Sequence, residues 1–519
     1  MFYNAELMRR LKRTIESVLV FVFVTALLAL SSRGIGLTFD EPLYFEFSDS
    51  VRGWFASGHP FDDPSLQHFW AYDPYHNPHP PFMKILCALT AGALEDRIVF
   101  PLDYRLGSHL YLGACAALLY SLLRTAYSRW MSALAILFVA LPPRVFGDMM
   151  IGTSDAPVAI AALLLPVLLW KVLTCDKAGA RGALWVLFFL VHGFAVATKF
   201  PGLLTIIPCG AYCVYRRRPR ECVFLVAAVV YALGFLVVVS PEKWHAPAHG
   251  ILEYLYYPFT RSAIPIASIF LGRKYAFYLP WSYFDFMSLV TYPVVLWLLL
   301  PGVLYARKTD KELLGPVLFA LGFWVVLGHL PSTPKHDGVR QFLSVYPLIS
   351  LVVWVGLQGL LAQWKVEIAR WERLAHVVLP ATVVGLLAAV VWRAHPHELS
   401  YYNALIGGIR GAERNGMEMS YFFEPVGPPF IEAMNREIHD GATVQILPDW
   451  PLLLVGYRIK GVLIPSITIL PEDSKEVPDY RIVLRRRATI DDEWYRAQPA
   501  IYETEYDGVS LAKLIKVRG

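Results

Sequence analysis

The chain has 519 residues, of which 56% are hydrophobic and 17% charged, and its mean hydropathy is +0.45. That is more apolar surface than one soluble core can hide, so the bilayer must be part of its solvent and a purely soluble protein is excluded. A formal charge of +5, carried in short basic clusters rather than one stripe, leaves no footprint for nucleic acid.

Apolar runs of roughly twenty residues predict about eleven membrane spans, at 15–37, 105–124, 130–147, 155–173, 182–198, 200–215, 221–240, 286–306, 313–330, 341–361 and 374–393. The basic clusters Arg9-Arg10-Leu11-Lys12-Arg13, Arg124/Arg129, Lys171/Lys177/Arg181, Arg216-Arg217-Arg218-Pro219-Arg220, Arg307-Lys308/Lys311 and Lys365/Arg370/Arg373 fall on alternate connections, as a cytoplasmic side requires. The expected orientation therefore has the N-terminus inside and the C-terminus outside. The first span, with a short core from Val18 to Leu30 behind its basic residues, also fits the start of a signal peptide, although Ala29-Leu30-Ser31 is a weak cleavage site. Whether it is cleaved stays open.

Four regions then face the extracytoplasmic space: 38–104, 241–285, 331–340 and 394–519. The last reads as a small α/β domain, with a helix from Pro428 to His439, strands at Thr443 to Leu447 and Tyr480 to Leu484, and a hairpin across Asp507-Gly508. The expected fold class is an all-α polytopic membrane protein of about eleven helices with a small C-terminal extracytoplasmic α/β domain, divided into 1–393 and 394–519. Six cysteines lie in or beside apolar segments without a CxxC pair and read as small buried hydrophobes.

The ionisable residues at the outer span ends and in the outer loops are Asp40, Glu41, His79, Lys84, Arg105, Asp155, Lys199, His336, Asp337 and Arg340. Charges at membrane depth are costly unless they pair or line a wet cavity, so this set is a candidate site. Asp40-Glu41 opens the first outer loop and is compatible with a helix cap. His79-Pro80-Pro81-Phe82-Met83-Lys84 closes that loop; its prolines fix an extended entry to the next helix and set the Lys84 ammonium one turn on, where it suits a lipid-linked phosphate or simply snorkels.

These two elements resemble the Asp-Glu signature and the His-Pro-Pro-x-x-Lys motif of GT-C glycosyltransferases, the class of protein O-mannosyltransferases and the lipid A aminoarabinose transferase. Arg105-Leu106-Gly107-Ser108, Thr153-Ser154-Asp155-Ala156-Pro157, Ala197-Thr198-Lys199-Phe200-Pro201-Gly202 and Arg340-Gln341-Phe342-Leu343-Ser344-Val345-Tyr346-Pro347 are similar to further elements of that family, in its order. The resemblance implies that Asp40 is the general base or acceptor-orienting carboxylate, with Glu41 and Asp155 as its catalytic companions. It leaves Lys84 and Arg340 as the main cations for the donor phosphate, and Arg105, Lys199 and His79 as lesser ones. The implied activity transfers a sugar from a polyprenyl-phosphate donor to a glycan, lipid or protein acceptor, inverting the anomeric centre.

Cations on the leaving phosphate and a carboxylate on the acceptor are what such a displacement needs. No GxxxxGK[ST] or GxGxxG element offers a soluble nucleotide site. A divalent metal is an open alternative, resting on His336, His395 and His397, without HxxxH spacing behind it. The segment His395-Pro396-His397-Glu398-Leu399-Ser400-Tyr401-Tyr402-Asn403 looks like a block of bacterial relatives, with no chemistry attached. Rival readings are a transporter or flippase, whose broken helices in two related halves are not evident, and a surface-glycan ligase or polymerase using the same donor.

Overall fold

The computed structural model describes residues 2–58, 60–71, 79–94, 97–261, 266–306, 308–331, 333–363 and 369–518. Arg307 and Lys365, expected in the basic clusters, lie outside them. The protein is mostly helical. Among the described residues, eight helices are long and apolar enough to cross a membrane: Leu11–Ser31, Leu102–Leu123, Asp155–Thr174, Ala178–Val196, Pro219–Val239, Asp310–His329, Val345–Gln363 and Val377–Ala394. Two bent pairs, Arg129–Ala140 with Pro143–Met150 (83°) and Ser282–Thr291 with Val294–Tyr305 (103°), bring the number to ten if each is one span. Both bends fall at prolines, Pro142-Pro143 and Pro293, which cannot continue the helical hydrogen-bond ladder.

The eleventh expected span, 200–215, is a broken pair of short helices, Pro201–Leu204 and Ile207–Tyr215. Its neighbours nevertheless show that the chain traverses the bundle there. Helices Ala178–Val196 and Pro219–Val239 run parallel: Trp185 stacks on Phe224, Phe189 meets Tyr231 and Phe194 meets Phe235, in ascending order on both. The segment between two parallel neighbours has to return from the end of one to the start of the other.

Helices Asp155–Thr174 and Val345–Gln363 form the centre of the bundle, each with 89% of its apolar window buried, as expected for helices that are hydrophobic all round. The first helix, Phe2–Ser31, packs along Leu102–Leu123. A side chain at Gly113 would come within 2.2 Å of Thr25 Oγ1, so glycine sets that approach, and the Arg124–Glu16 ion pair (2.9 Å) fastens the far end.

The first loop, expected as a connection, folds into helices Glu41–Ala56, Asp63–Trp70 and Phe82–Leu94. Loop 241–285 carries a hairpin of β1 (Ser268–Phe270) and β2 (Arg273–Tyr275). The C-terminal region is built on β3 (Thr443–Leu447), β4 (Thr468–Leu470), β5 (Tyr480–Leu484), β6 (Tyr502–Tyr506) and β7 (Val509–Lys516), in the order β4-β3-β5-β7-β6. β3 is parallel to β4 and β5, while β7 is antiparallel to β5 and β6. β3 and β5 have the expected limits, and the β6–β7 turn uses Asp507 (φ 49°) and Gly508 (φ 73°), the left-handed geometry that Asp-Gly tolerates. This sheet shares its core with the first loop: Leu37, Tyr44, Phe45 and Tyr104 pack with Phe430, Leu453, Tyr457 and Leu484.

Candidate active site

Asp40 and Glu41, adjacent in sequence, face opposite ways. Glu41 begins the helix that ends at Ala56 and turns inward, where its two oxygens accept from Arg105 Nε and Nη2 (2.7 Å each), Gly152 N (2.8 Å) and Thr38 N and Oγ1 (2.9 and 3.1 Å). Arg105 spends its other donors on the carbonyls of Ser32, Ile35 and Gly36 (2.7–3.0 Å), and both side chains are 0% exposed. All five guanidinium hydrogens are committed to protein. The roles expected for Glu41 in catalysis and Arg105 on a phosphate are therefore replaced by one structural role: the pair fastens the turn that carries Asp40 to the Leu102–Leu123 helix.

Asp40 occupies the N-cap position, yet its side chain caps nothing. Its carboxylate instead pairs with Arg340 Nη2. Arg340 Nε donates to Asp155 Oδ2 (2.8 Å), Asp155 Oδ1 accepts from Lys199 Nζ (2.5 Å), and Arg340 Nη1 stands 3.7 Å from Asp337. Four elements distant in sequence thus bring Asp40, Asp155, Lys199 and Arg340 together. The guanidinium carbon sits over the Phe422 ring, 4.2 Å from its centroid, a cation–π contact.

Burial alone would weaken the Arg340 charge, but Asp155, Asp40 and Asp337 hold its pKa well above the ordinary value. Lys199 is pulled below its ordinary value by burial, and Asp155 offsets part of this. Asp337 is likewise desolvated, yet Arg486, His336 and Arg340 overcome that and keep it below the usual carboxylate range. The cluster is a matched set of charges held away from bulk water.

Asp40, Lys199, Asp337 and Arg340 of this cluster line a cavity of about 310 Å³. Its polar lining includes Asp40, His79, Lys199, His336, Asp337 and Arg340, and its apolar lining Phe200, Leu204, Pro258, Trp324 and Leu327. His79 is therefore on the wall. Lys84 stands one layer behind: its ammonium donates to the His79 carbonyl (2.8 Å) and lies over the rings of Tyr44 and Phe47 at 5.0 and 4.9 Å. Burial brings its pKa down to about 7, with Glu242 and Asp40 opposing. Lys84, expected as a main phosphate cation, is thus not among the residues that line the cavity.

Sequence reasoning missed several neighbours. Asp148 is buried beside a small void shared with Arg144, Asp337 and Arg340, and a carboxylate inside an apolar stretch was a signal that could have found it. Phe422, Trp450 and Arg486 come from the C-terminal region and carried no local signal. The three histidines considered for a metal are apart in role: His336 contacts Gln341 (3.0 Å), His395 pairs with Glu398 (2.9 Å) and His397 packs against Tyr506. Among the described residues, no three His, Cys, Asp or Glu side chains are grouped to hold a metal ion.

Residues 79–245 match the family model of dolichyl-phosphate-mannose-protein mannosyltransferases, a stretch that contains His79, Lys84, Arg105, Asp155 and Lys199. The fold is similar to the crystal structure of ArnT from Cupriavidus metallidurans in the apo state, with a TM-score of 0.51 and 14% identity over 96% of this chain and 97% of that one. The archaeal oligosaccharyltransferase AglB from Archaeoglobus fulgidus, in complex with an inhibitory peptide and a dolichol-phosphate, aligns with a TM-score of 0.43 and 12% identity over 82% of this chain and 58% of that one. A comparison with curated protein sequences gives no match. About a third of the chain is thus similar to the mannosyltransferase family model, and the chain as a whole shares the fold of that ArnT crystal structure.

Proposed function

We propose that this protein transfers a sugar from a polyprenyl-phosphate-linked donor to an acceptor on the extracytoplasmic face of the membrane, with inversion at the anomeric carbon. The observation that carries this reading is the cavity itself, whose wall joins an apolar lining to Arg340, Lys199 and Asp40. A polyprenyl phosphate has the same division, a long apolar chain ending in one anionic group.

In this reading the chain lies along Phe200, Leu204, Trp324 and Leu327, and the phosphate takes the edge of Arg340 with Lys199 beside it. Arg340 then exchanges Asp40 for phosphate, which frees the Asp40 carboxylate at the moment the donor is seated. The acceptor hydroxyl or amine attacks the anomeric carbon, its proton passes to Asp40, and the bond from that carbon to the phosphate oxygen breaks with its electron pair leaving on the phosphate. Arg340 and Lys199, both largely buried, stabilise that charge, while Asp155 keeps both cations in place. A single displacement with one base inverts the centre.

The sidedness belongs to the same proposal. Arg124, Lys171, Lys177, Arg181 and Arg216 to Arg218 lie at the ends of helices opposite to the cavity, which supports a cytoplasmic placement for that end and for the N-terminus, with the site and residues 394–519 outside. The decisive experiment follows the glycolipid or glycoprotein whose mass changes when the gene is removed. Re-expression of the parent chain should restore the mass and Asp40→Asn should not; restoration by Asp40→Asn would reject the assignment.

A further inference from the structure

The C-terminal region contains three consecutive arginines at the end of β5, and they do three different things. Arg485, 3% exposed in its side chain, is held by Asp492 (2.8 Å) and Glu413 (2.7 Å). Arg487 donates to the carbonyls of Glu413 and Met417 (2.9 and 3.1 Å). The backbone between them is clamped by Glu418, which accepts from the amides of Arg487 (2.7 Å) and Ala488 (3.1 Å). With both neighbours tied to their own domain, Arg486 is aimed across the boundary, and its Nη2 meets Asp337 Oδ1 at 2.9 Å while Nη1 donates to the Tyr421 carbonyl (3.3 Å).

Asp337 is the link. It sits at φ 57°, followed by Gly338 at φ 69°, a left-handed turn that presents the carboxylate to both sides. One oxygen takes Arg486 and the other faces Arg340 Nη1 at 3.7 Å. The result is a continuous chain of charges, Arg486–Asp337–Arg340–Asp40/Asp155–Lys199, with three cations and three carboxylates.

We propose that Arg486 is a positioning residue of the membrane-domain site: by occupying Asp337 it leaves the Arg340 guanidinium turned toward Asp40 and Asp155, where the donor phosphate is received. This rests on the reading of Arg340 as the phosphate ligand. Without Arg486, Asp337 is a desolvated carboxylate left with His336 at 3.9 Å and the permanent charge of Arg340 at 3.7 Å, and it draws Arg340 Nη1 from that loose contact into a close pair. The phosphate then competes with a carboxylate that was formerly satisfied elsewhere. The C-terminal domain is on this account a working part of the site, since it cancels a charge that would otherwise turn the key cation away.

The test uses the full-length protein in nanodiscs, with undecaprenyl phosphate as probe and undecaprenol as the uncharged control. The parent protein should bind the phosphate at least about tenfold more tightly than the alcohol, Arg486→Met should lose about tenfold of that affinity, and adding Asp337→Asn to Arg486→Met should recover it to within about threefold. A merely structural role for Arg486 predicts no recovery, because the second substitution removes a further contact. Parent-like binding by Arg486→Met, or a double variant no tighter than the single one, overturns the inference. If the single variant does not fold, Asp337→Asn alone decides: binding at least as tight as the parent supports the competition, and weaker binding overturns it. Failure of the parent protein to prefer the phosphate over the alcohol is a different result, which rejects the donor reading itself.

Discussion

The Asp40 carboxylate and the Arg340 guanidinium, 300 residues apart in the chain, meet as an ion pair on the wall of the cavity. In the proposed reaction the base is thus paired with the cation that receives the donor, and the two must part before transfer.

Asp40→Asn separates the two functions. The amide keeps the shape of the side chain but cannot take the acceptor proton, so transfer should fall by at least about a hundredfold. Undecaprenyl phosphate should bind as tightly as to the parent protein or more tightly, because Arg340 is no longer shared with a carboxylate. Turnover and binding measured on the same preparation check this, and equal loss of both would mean that Asp40 shapes the site instead of acting in it.

Arg105→Met should be a stability lesion. It strands the buried Glu41 carboxylate, and breaking a buried pair from one side costs about 3–5 kcal/mol. The double variant Arg105→Met/Glu41→Gln removes the stranded charge and should regain a large part of the lost thermal stability in detergent. Melting curves of the parent and the three variants, including Glu41→Gln, measure the coupling.

The Lys84 ammonium, with a pKa lowered to about 7 from the ordinary 10.5 by burial, links folding to pH in a definite direction. Between those values the unfolded chain holds a proton that the folded chain lacks, so stability climbs as pH rises through this window, by up to about 1 kcal/mol per pH unit. Comparison of the parent protein with Lys84→Met from about pH 7 to about pH 9 should show the difference moving in favour of the parent. A difference that stays constant would mean that Lys84 remains protonated in the folded protein.

Trp450 stacks on Phe39, the residue before Asp40, with ring centroids 3.9 Å apart, and its Nε1 donates to the Phe39 carbonyl (3.0 Å). Trp450→Phe keeps a ring in place and should hold activity within about threefold, whereas Trp450→Ala loses the stack, worth about 0.5–1.5 kcal/mol beyond its buried area. The second variant should transfer about tenfold more slowly while binding undecaprenyl phosphate normally, since the phosphate end of the site is untouched. Weakened binding by Trp450→Ala would show that the loosening spreads beyond Asp40.

The site residues legible in the sequence were those whose charge stood against an apolar background: Asp40, Asp155, Lys199 and Arg340 stand at the ends of hydrophobic runs. Their roles were less legible. Successive residues on a helix point about 100° apart, so Asp40 and Glu41 could not both face the cavity, and no local pattern says which one does. Arg105 resembled a phosphate ligand because its partners, the carbonyls of Ser32, Ile35 and Gly36, leave no trace in side-chain chemistry. The strands Thr443–Leu447 and Tyr480–Leu484 announced themselves by composition. Arg485-Arg486-Arg487 carries no local signal, and only the tertiary fold turns its middle member toward Asp337.

The short traverse between two parallel helices has a consequence for the surrounding lipid. At about 1.5 Å per residue, the 201–215 pair reaches only about 22 Å, against about 30 Å of hydrocarbon in a typical bilayer. Phe200, Pro201 and Leu204, at its start, belong to the cavity wall. If this pair sets the local thickness, acyl chains beside that wall must shorten or tilt to meet the protein, which brings the headgroups closer to Lys199. A lipid carrier arriving from the bilayer would find its phosphate already near the depth of the charged cluster, and the rate of loading would depend on membrane thickness as well as on carrier concentration.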